Sequence, residues 1–366
     1  MSILIFIIIL GVLIFVHELG HFIFAKRTGM LVEEFAIGFP PRIFSFKKGE
    51  TKYSIGIIPL GGYVKIFGEE YGEENGEINE KNKDRSFTQQ PKKNQALVLA
   101  AGVTFNLLLA WILFAVAFGS GMPVSVNTFS GMEIENPQLM LVDVLKDSPA
   151  EKAGLVAGDS ILYLNSGEDS LQNFENTLVA EDFIATHGGK EINIFYHHGN
   201  ENILTTIVPE EGVVEGKFAI GVSLDMVGEV RLPFFMAIWE ALKTTANLTI
   251  MTIVGLFWFV VGIFNGASSL SQISGPVGIV SMVGGALNFG FIYLLSFTAL
   301  ISINLAVINL IPIPALDGGR ILFVLIEKIK GSPIKPQIAN GLNLLGFGLL
   351  LLLMLVITVN DILNVF

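Results

Sequence analysis

Hydropathy divides the chain into long apolar stretches separated by two polar regions of opposite character. Ile3 to Ala25 is apolar apart from one short polar insert, and uncharged apolar stretches follow at about 95–121, 289–311 and 338–359. Each is long enough to cross a hydrocarbon core of ~30 Å, which takes ~20 helical residues. A further apolar stretch, 233–270, carries Glu240 and Lys243 near its start. Residues 35–64 place aromatic and β-branched side chains around the charged turn Lys47-Lys48-Gly49-Glu50, a β-hairpin pattern. Its apolar character beside a span suits the lipid boundary or a cavity wall as well as a plain cytoplasmic hairpin. Residues 69–84 are acidic and Gly/Asn-rich, as in a flexible loop. The pattern predicts an α-helical polytopic membrane protein with four transmembrane helices, a membrane-associated β-hairpin and an inserted α+β domain. The divisions fall at 1–121 for the first two spans, 122–228 for the inserted domain, 229–288 for an interfacial helix and loop, and 289–366 for the last two spans.

Charge orients this arrangement. Residues 25–95 hold 12 of the 22 Lys and Arg, whereas residues 122–235 hold 5 of them against 18 Asp and Glu. Basic residues close to span ends stay on the cytoplasmic side, so 25–95 faces inward and 122–235 outward. The formal net charge of −11 excludes nucleic acid as a natural partner. No cysteine is present, so a metal site must be built from His and carboxylate. The first stretch lacks a basic leader segment and is expected to stay as a span rather than be cleaved.

The polar insert in that span is His17-Glu18-Leu19-Gly20-His21. Residues four apart share a helix face, so His17 and His21 present two imidazoles to one ion, with Glu18 beside them as a general base. A glutamate at that depth costs roughly 2.5–3.5 kcal/mol, which calls for a partner and a function. Chance matches to so short a motif fall mostly on soluble helices. Lys26-Arg27 ends the span, so the histidines lie roughly 8–14 Å inside the cytoplasmic boundary at ~1.5 Å per residue.

A second intramembrane carboxylate, Asp317, follows Pro312-Ile313-Pro314, where regular helix must stop. Irregular backbone at membrane depth is tolerated only inside protein or around a cavity. Alone, Asp317 reads equally as a helix cap; beside His-Glu-x-x-His it becomes the candidate third ligand. Asn304 and Asn309 are candidates to hold a substrate backbone or an oxyanion. For Asp317 to reach the depth of His17 and His21, the 289–311 span must run inward. That leaves no room for a crossing at 244–264, which is therefore read as an amphipathic helix lying in the interface. In the second span, Gly102 is read as a packing residue and Asn106 as a polar group in need of a partner. The 338–359 span has no ionisable group and is read as packing only. His187, His197 and His198 lack metal-site spacing and are read as ordinary surface residues.

The outward module contains Ser148-Pro149-Ala150-Glu151-Lys152-Ala153-Gly154-Leu155 and then Gly158-Asp159-Ser160-Ile161-Leu162. This run resembles a PDZ domain, a module that binds chain ends by strand addition. The whole chain resembles the site-2 proteases, zinc metalloproteases that cut within the membrane, and within them the bacterial regulator of sigma-E protease type. The resemblance rests on His17–His21, Ile58-Pro59-Leu60-Gly61-Gly62-Tyr63, Ala101-Gly102 with Asn106, Ser274-Gly275-Pro276-Val277-Gly278, and Asn309 to Gly319. It implies zinc held by His17, His21 and Asp317, Glu18 as base, Asn304 and Asn309 on substrate, and the 35–64 hairpin as a reentrant guide. It also implies an inner (plasma) membrane location with an extracytoplasmic PDZ domain. The implied substrates are single-span membrane proteins already trimmed on the outside, such as anti-sigma factors or signal-peptide remnants. The chain departs from the family in Gly38-Phe39-Pro40, in Val103 after Ala101-Gly102, and in carrying one PDZ-like run where many relatives have two. The competing reading is a non-catalytic PDZ-containing membrane adaptor. A zinc transporter ranks below it, because polar groups do not recur along the last span.

Overall fold

A computed structural model describes residues 1–69, 80–126, 133–199, 201–214, 216–267 and 273–365. In chain order it contains α1 (Ser2–Arg27), strands β1 (Val32–Lys48) and β2 (Thr51–Ile66), two short 3-10 turns, and α2 (Lys92–Ser120). The middle region contains β3 (Met122–Ser125), β4 (Glu135–Val144), α3 (Pro149–Lys152), β5 (Ser160–Ser166), β6 (Asp169–Leu171) and α4 (Thr177–Thr186). It continues with β7 (Ile192–His198), β8 (Glu201–Ile207), β9 (Glu210–Val214), β10 (Lys217–Ala219) and β11 (Val222–Val230). Helices α5 (Phe234–Phe264), α6 (Pro276–Asn288), α7 (Phe291–Leu310), α8 (Asp317–Lys330) and α9 (Pro336–Val365) complete it. Among the described residues, five helices are long and apolar enough to cross a membrane: α1, α2, α5, α7 and α9. The chain is a polytopic membrane protein. The helix additional to the four expected is α5.

Two units form. One holds residues 1–114, 241–281 and 298–366, the other 115–240 and 282–297. In the first, the expected hairpin is more elaborate. The distal arm of β1 pairs with the start of β2 across the predicted turn, from Phe44↔Ile55 to Lys48↔Thr51. The proximal residues 34–37 then pair on both sides, with 52–55 and with 62–65. Two bent strands thus make four arms, in the order 42–48, 51–56, 34–37, 62–66. Gly38, at φ 81°, lies where β1 turns back. The arm 62–66 is an outer edge. The distal arm exposes Ile43, Phe44, Phe46, Ile55 and Ile57, an apolar surface suited to lipid. The proximal end packs into a core of Ala25, Met30, Val32, Ile66, Phe87, Val98, Leu99 and Val324, which joins the sheet to α1, α2 and α8.

Helix α8 ends at Gly331, whose left-handed backbone (φ 73°) returns its N–H to Glu327 O at 2.9 Å. The buried Glu327 carboxylate accepts from Lys92 Nζ at 2.5 Å and from Ile334 N at 2.9 Å. The final helix does more than pack. It extends past the predicted end, and the buried Asp361 accepts from Gly275 N at 3.1 Å and Gly278 N at 2.8 Å. A carboxylate on the orphan N–H groups that open α6 is the favoured charge at a helix N-terminus.

The second unit contains an α+β module. Its sheet runs β3-β11-β4-β5-β7-β8, with β6 paired to β5. A strand (β4), a short helix (α3), a glycine turn and a second strand (β5) follow one another. Ser148 Oγ caps α3 by accepting from Glu151 N at 3.2 Å, and Pro149 opens the helix. Leu139, Leu141, Leu155, Leu164, Ile192 and Ile194 fill the core. Of its histidines, His187 is not the surface residue expected, whereas His198 is exposed as expected. His187 is buried, with Nδ1 2.8 Å from Phe183 O and Nε2 3.2 Å from Asp169 Oδ2. His198 Nδ1 lies 2.7 Å from an oxygen of the buried Asp159. Both are satisfied by carboxylates within the module, partners that a search for metal spacing does not reveal.

Candidate metal centre

Helix α1 puts His17 and His21 on one face, their Nε2 atoms 3.2 Å apart. Asp317 Oδ2 lies 3.0 Å from the first and 3.3 Å from the second. Three donors on zinc at about 2.0–2.1 Å in tetrahedral geometry are separated by roughly 3.3 Å, so the triangle has the size of a zinc site. Asp317 Oδ2 is buried and makes no hydrogen bond. A buried carboxylate oxygen 3.0–3.3 Å from two imidazole nitrogens, in a geometry that makes no hydrogen bond to either, fits a cation at their centre. Among the described residues this is the one cluster of three or more His and carboxylate groups with metal-site spacing.

The rest of each ring is held in place. His21 Nδ1 is 2.8 Å from the Val98 carbonyl oxygen, which can only accept, so the proton sits on Nδ1 and Nε2 is left for a metal. His17 Nδ1 is 3.3 Å from Asn106 Nδ2, while Asn106 Oδ1 is buried without a partner. Turning the amide over lets Oδ1 accept from His17 Nδ1–H, the pairing that a metal on Nε2 requires, and Asn/Gln amide orientation is an assignment to be made on such grounds. Asn106 therefore orients His17. Its own backbone carbonyl accepts from the buried Ser302 hydroxyl at 2.8 Å, which fixes α2 against α7.

Gly102 does more than allow close packing. A Cβ there would lie 2.3 Å from His21 Nε2 and 2.7 Å from His17 Cε1. Bare backbone of α2 thus forms one wall of the site. The third ligand arrives by a turn that needs the same economy. Helix α7 stops at Leu310, Ala315 takes φ 80°, and α8 begins at Asp317. A Cβ on Gly318 would meet Leu310 O at 2.2 Å, and one on Gly319 would meet Ile313 O at 2.2 Å. The two glycines let α8 fold back onto the end of α7, which carries Asp317 to the histidines.

Glu18 follows His17 and lies against the outer arm of the sheet, where a Cβ on Gly62 would fall 3.0 Å from Glu18 Cγ. Asn304 is on α7, its Oδ1 accepting from Thr252 Oγ1 of α5 at 3.5 Å. Asn309 lies in the last turn of α7, and no hydrogen bond joins it to the three ligands. The structure thus gathers His17, His21 and Asp317, sets Glu18 beside them, and leaves the two asparagines on the helix leading in.

The peptidase family M50 model matches residues 5–353. The zinc metalloprotease RasP of Oceanobacillus iheyensis is 31% identical over 445 aligned positions, covering 100% of this chain and 99% of the relative. RasP of Shouchella clausii is 32% identical with the same coverage. The regulator of sigma-W protease RasP of Bacillus subtilis is 30% identical over 438 positions, again with 100% and 99% coverage.

Proposed function

The chain belongs to the M50 peptidases, zinc-dependent intramembrane proteases of the site-2 type, and on that premise we propose how its own residues do the work. His17, His21 and Asp317 hold the zinc, and the observation that carries this is the unbonded, buried Asp317 oxygen between two imidazoles. When bound, zinc supplies Lewis acidity, lowering the pKa of water and polarising a carbonyl. Glu18 is the general base that takes the proton from the attacking water and passes it to the leaving amine. Asn106 and Val98 O keep the two imidazoles in the ligating tautomer.

A transmembrane helix hides its carbonyls, so the substrate must unwind before it is cut. The arm 62–66 is a sheet edge that passes Glu18, and an extended segment added there by strand pairing would run beside the metal. Asn304 and Asn309 are the polar groups on α7 to receive the substrate backbone. The substrate class is the single-span membrane protein already shortened on its outer side, either an anti-sigma factor or a signal-peptide remnant. The B. subtilis relative is named for regulating sigma-W. The outward module acts as a PDZ domain that excludes bulky outer domains, and the membrane is the bacterial inner membrane. Cleavage of a reconstituted single-span peptide, compared between the wild type and a Glu18 variant, tests this reading.

Four crossings fit the anchoring of α5 better than five. Before it, Leu232 N donates to Phe118 O at the outward end of α2. After it, Gly275 and Gly278 are held by Asp361 at the outward end of α9. A single crossing by α5 would leave about ten residues, from Phe264 to Gly275, to return through lipid, half of the ~20 a helix needs. We read α5 as entering the outer leaflet obliquely beside α7, with Thr252 against Asn304. The chain has no native cysteine, so Asn265→Cys can be labelled alone. It should react with a membrane-impermeant maleimide from the outer face; reaction confined to inside-out vesicles would contradict the four-crossing topology.

A further inference from the structure

The arm 62–66 ends in a tight turn closed by Glu69, whose N–H donates to Ile66 O at 3.2 Å. The Glu69 carboxylate accepts at one oxygen from Ile66 N, at 3.4 Å, and at the other from Arg320 Nη1. Arg320 stands three residues beyond Asp317 on α8, one turn along the same face. One ion pair, 251 positions apart in sequence, therefore joins the end of the edge arm to the helix that supplies the third metal ligand. The Glu69 side chain is 12% exposed and Arg320 32% exposed, so the pair is more sheltered than a surface salt bridge.

We propose that Glu69 and Arg320 are positioning residues that set the register of the bound substrate strand against the metal ligands. Neither touches a reacting atom. The inference rests on the strand-addition reading given above. A substrate paired with arm 62–66 inherits the position of that arm. The arm is pinned at Gly62 by its contact with α1 beside Glu18, and at Glu69 by its link to α8. With both ends pinned, one peptide bond faces the site. With the second pin broken the arm can shift, and a misplacement of about 1 Å costs roughly 10²-fold in rate. A strand that slips keeps its faces only when it slips by two residues. A loosened register should therefore add cuts two residues from the main one.

The test uses the full chain in lipid with a single-span peptide, its products identified by mass spectrometry and its zinc content by elemental analysis. Glu69→Lys should slow cleavage roughly 10- to 100-fold, add products displaced by two residues, and leave zinc content at the wild-type level. Arg320→Lys keeps the charge and the fold but loses the planar fork, and should show the same added products more weakly. The reversal Glu69→Lys with Arg320→Glu should restore a single main product. A wild-type product pattern in both single variants overturns the inference, as does a rate loss that only tracks lost zinc. A wild type that leaves the peptide intact instead overturns the proposed function itself, and the register inference with it.

Discussion

Glu18→Gln is expected to keep full zinc occupancy and lose cleavage by roughly 10²- to 10⁴-fold, the usual size of a general-base contribution. Gln has nearly the shape of Glu and can hydrogen-bond a water, but it cannot take a proton at neutral pH. The metal should be unaffected because the ligand triangle is His17, His21 and Asp317, with separations of 3.0–3.3 Å that do not involve Glu18. Rate and zinc content measured on one preparation separate the two roles. Equal cleavage by the variant and the wild type would remove Glu18 from the chemistry; parallel loss of zinc and rate would make it a ligand rather than a base.

Gly102→Ala should damage the centre almost as severely, although no ligand is changed. The added methyl would sit 2.3 Å from His21 Nε2 and 2.8 Å from His17 Nε2, and ordinary carbon contacts begin about 1 Å further out. Either α2 moves away from α1 or the imidazoles leave the triangle. The first route is resisted by Gly20, where a Cβ would already lie 2.5 Å from Ala101 O, a sign of how closely the helices approach. Losing correct ligand orientation costs roughly 10- to 100-fold in metal affinity at other sites, and a displaced ligand should cost at least that. Gly119→Ala, on the same helix with nothing within 4 Å of its Cβ, is the control and should bind zinc normally. Competition with a chelator reads both. Wild-type affinity in Gly102→Ala would mean that the α1–α2 contact is looser than these distances require.

How much of this was legible in the sequence depended on whether the signal was local. His17 and His21 lie one helical turn apart, so their shared face follows from helix geometry alone. Asp317 was legible only beside His17 and His21, because a carboxylate after a Pro-x-Pro break reads by itself as a helix cap. The sheet was legible only as a hairpin: aromatic and β-branched residues around a charged turn mark 35–64 as paired strands, but they do not say that residues 34–37 pair along both edges. Gly102 carries no side chain, so its role could be seen only from what stands opposite it. Asp361 escaped because the apolar stretch ends at Val359, two residues short of the carboxylate that caps α6. The Glu69–Arg320 pair left no local pattern, since its halves lie in different elements that meet only in the fold. Helix α5 shows the converse. Its hydropathy matches that of the spans, and what speaks against a crossing is where its two ends are tied.

Two histidines of the first helix and one aspartate from the turn after α7 are proposed to hold a single zinc. X-ray absorption at the zinc edge of the purified protein tests it most directly, with Asp317→Ala as the comparison. The predicted spectrum has two imidazole nitrogens and a carboxylate oxygen at about 2.0–2.2 Å, and the aspartate variant loses the carboxylate or the metal altogether. An Asp317→Ala spectrum identical to that of the wild type, at equal zinc content, would contradict it.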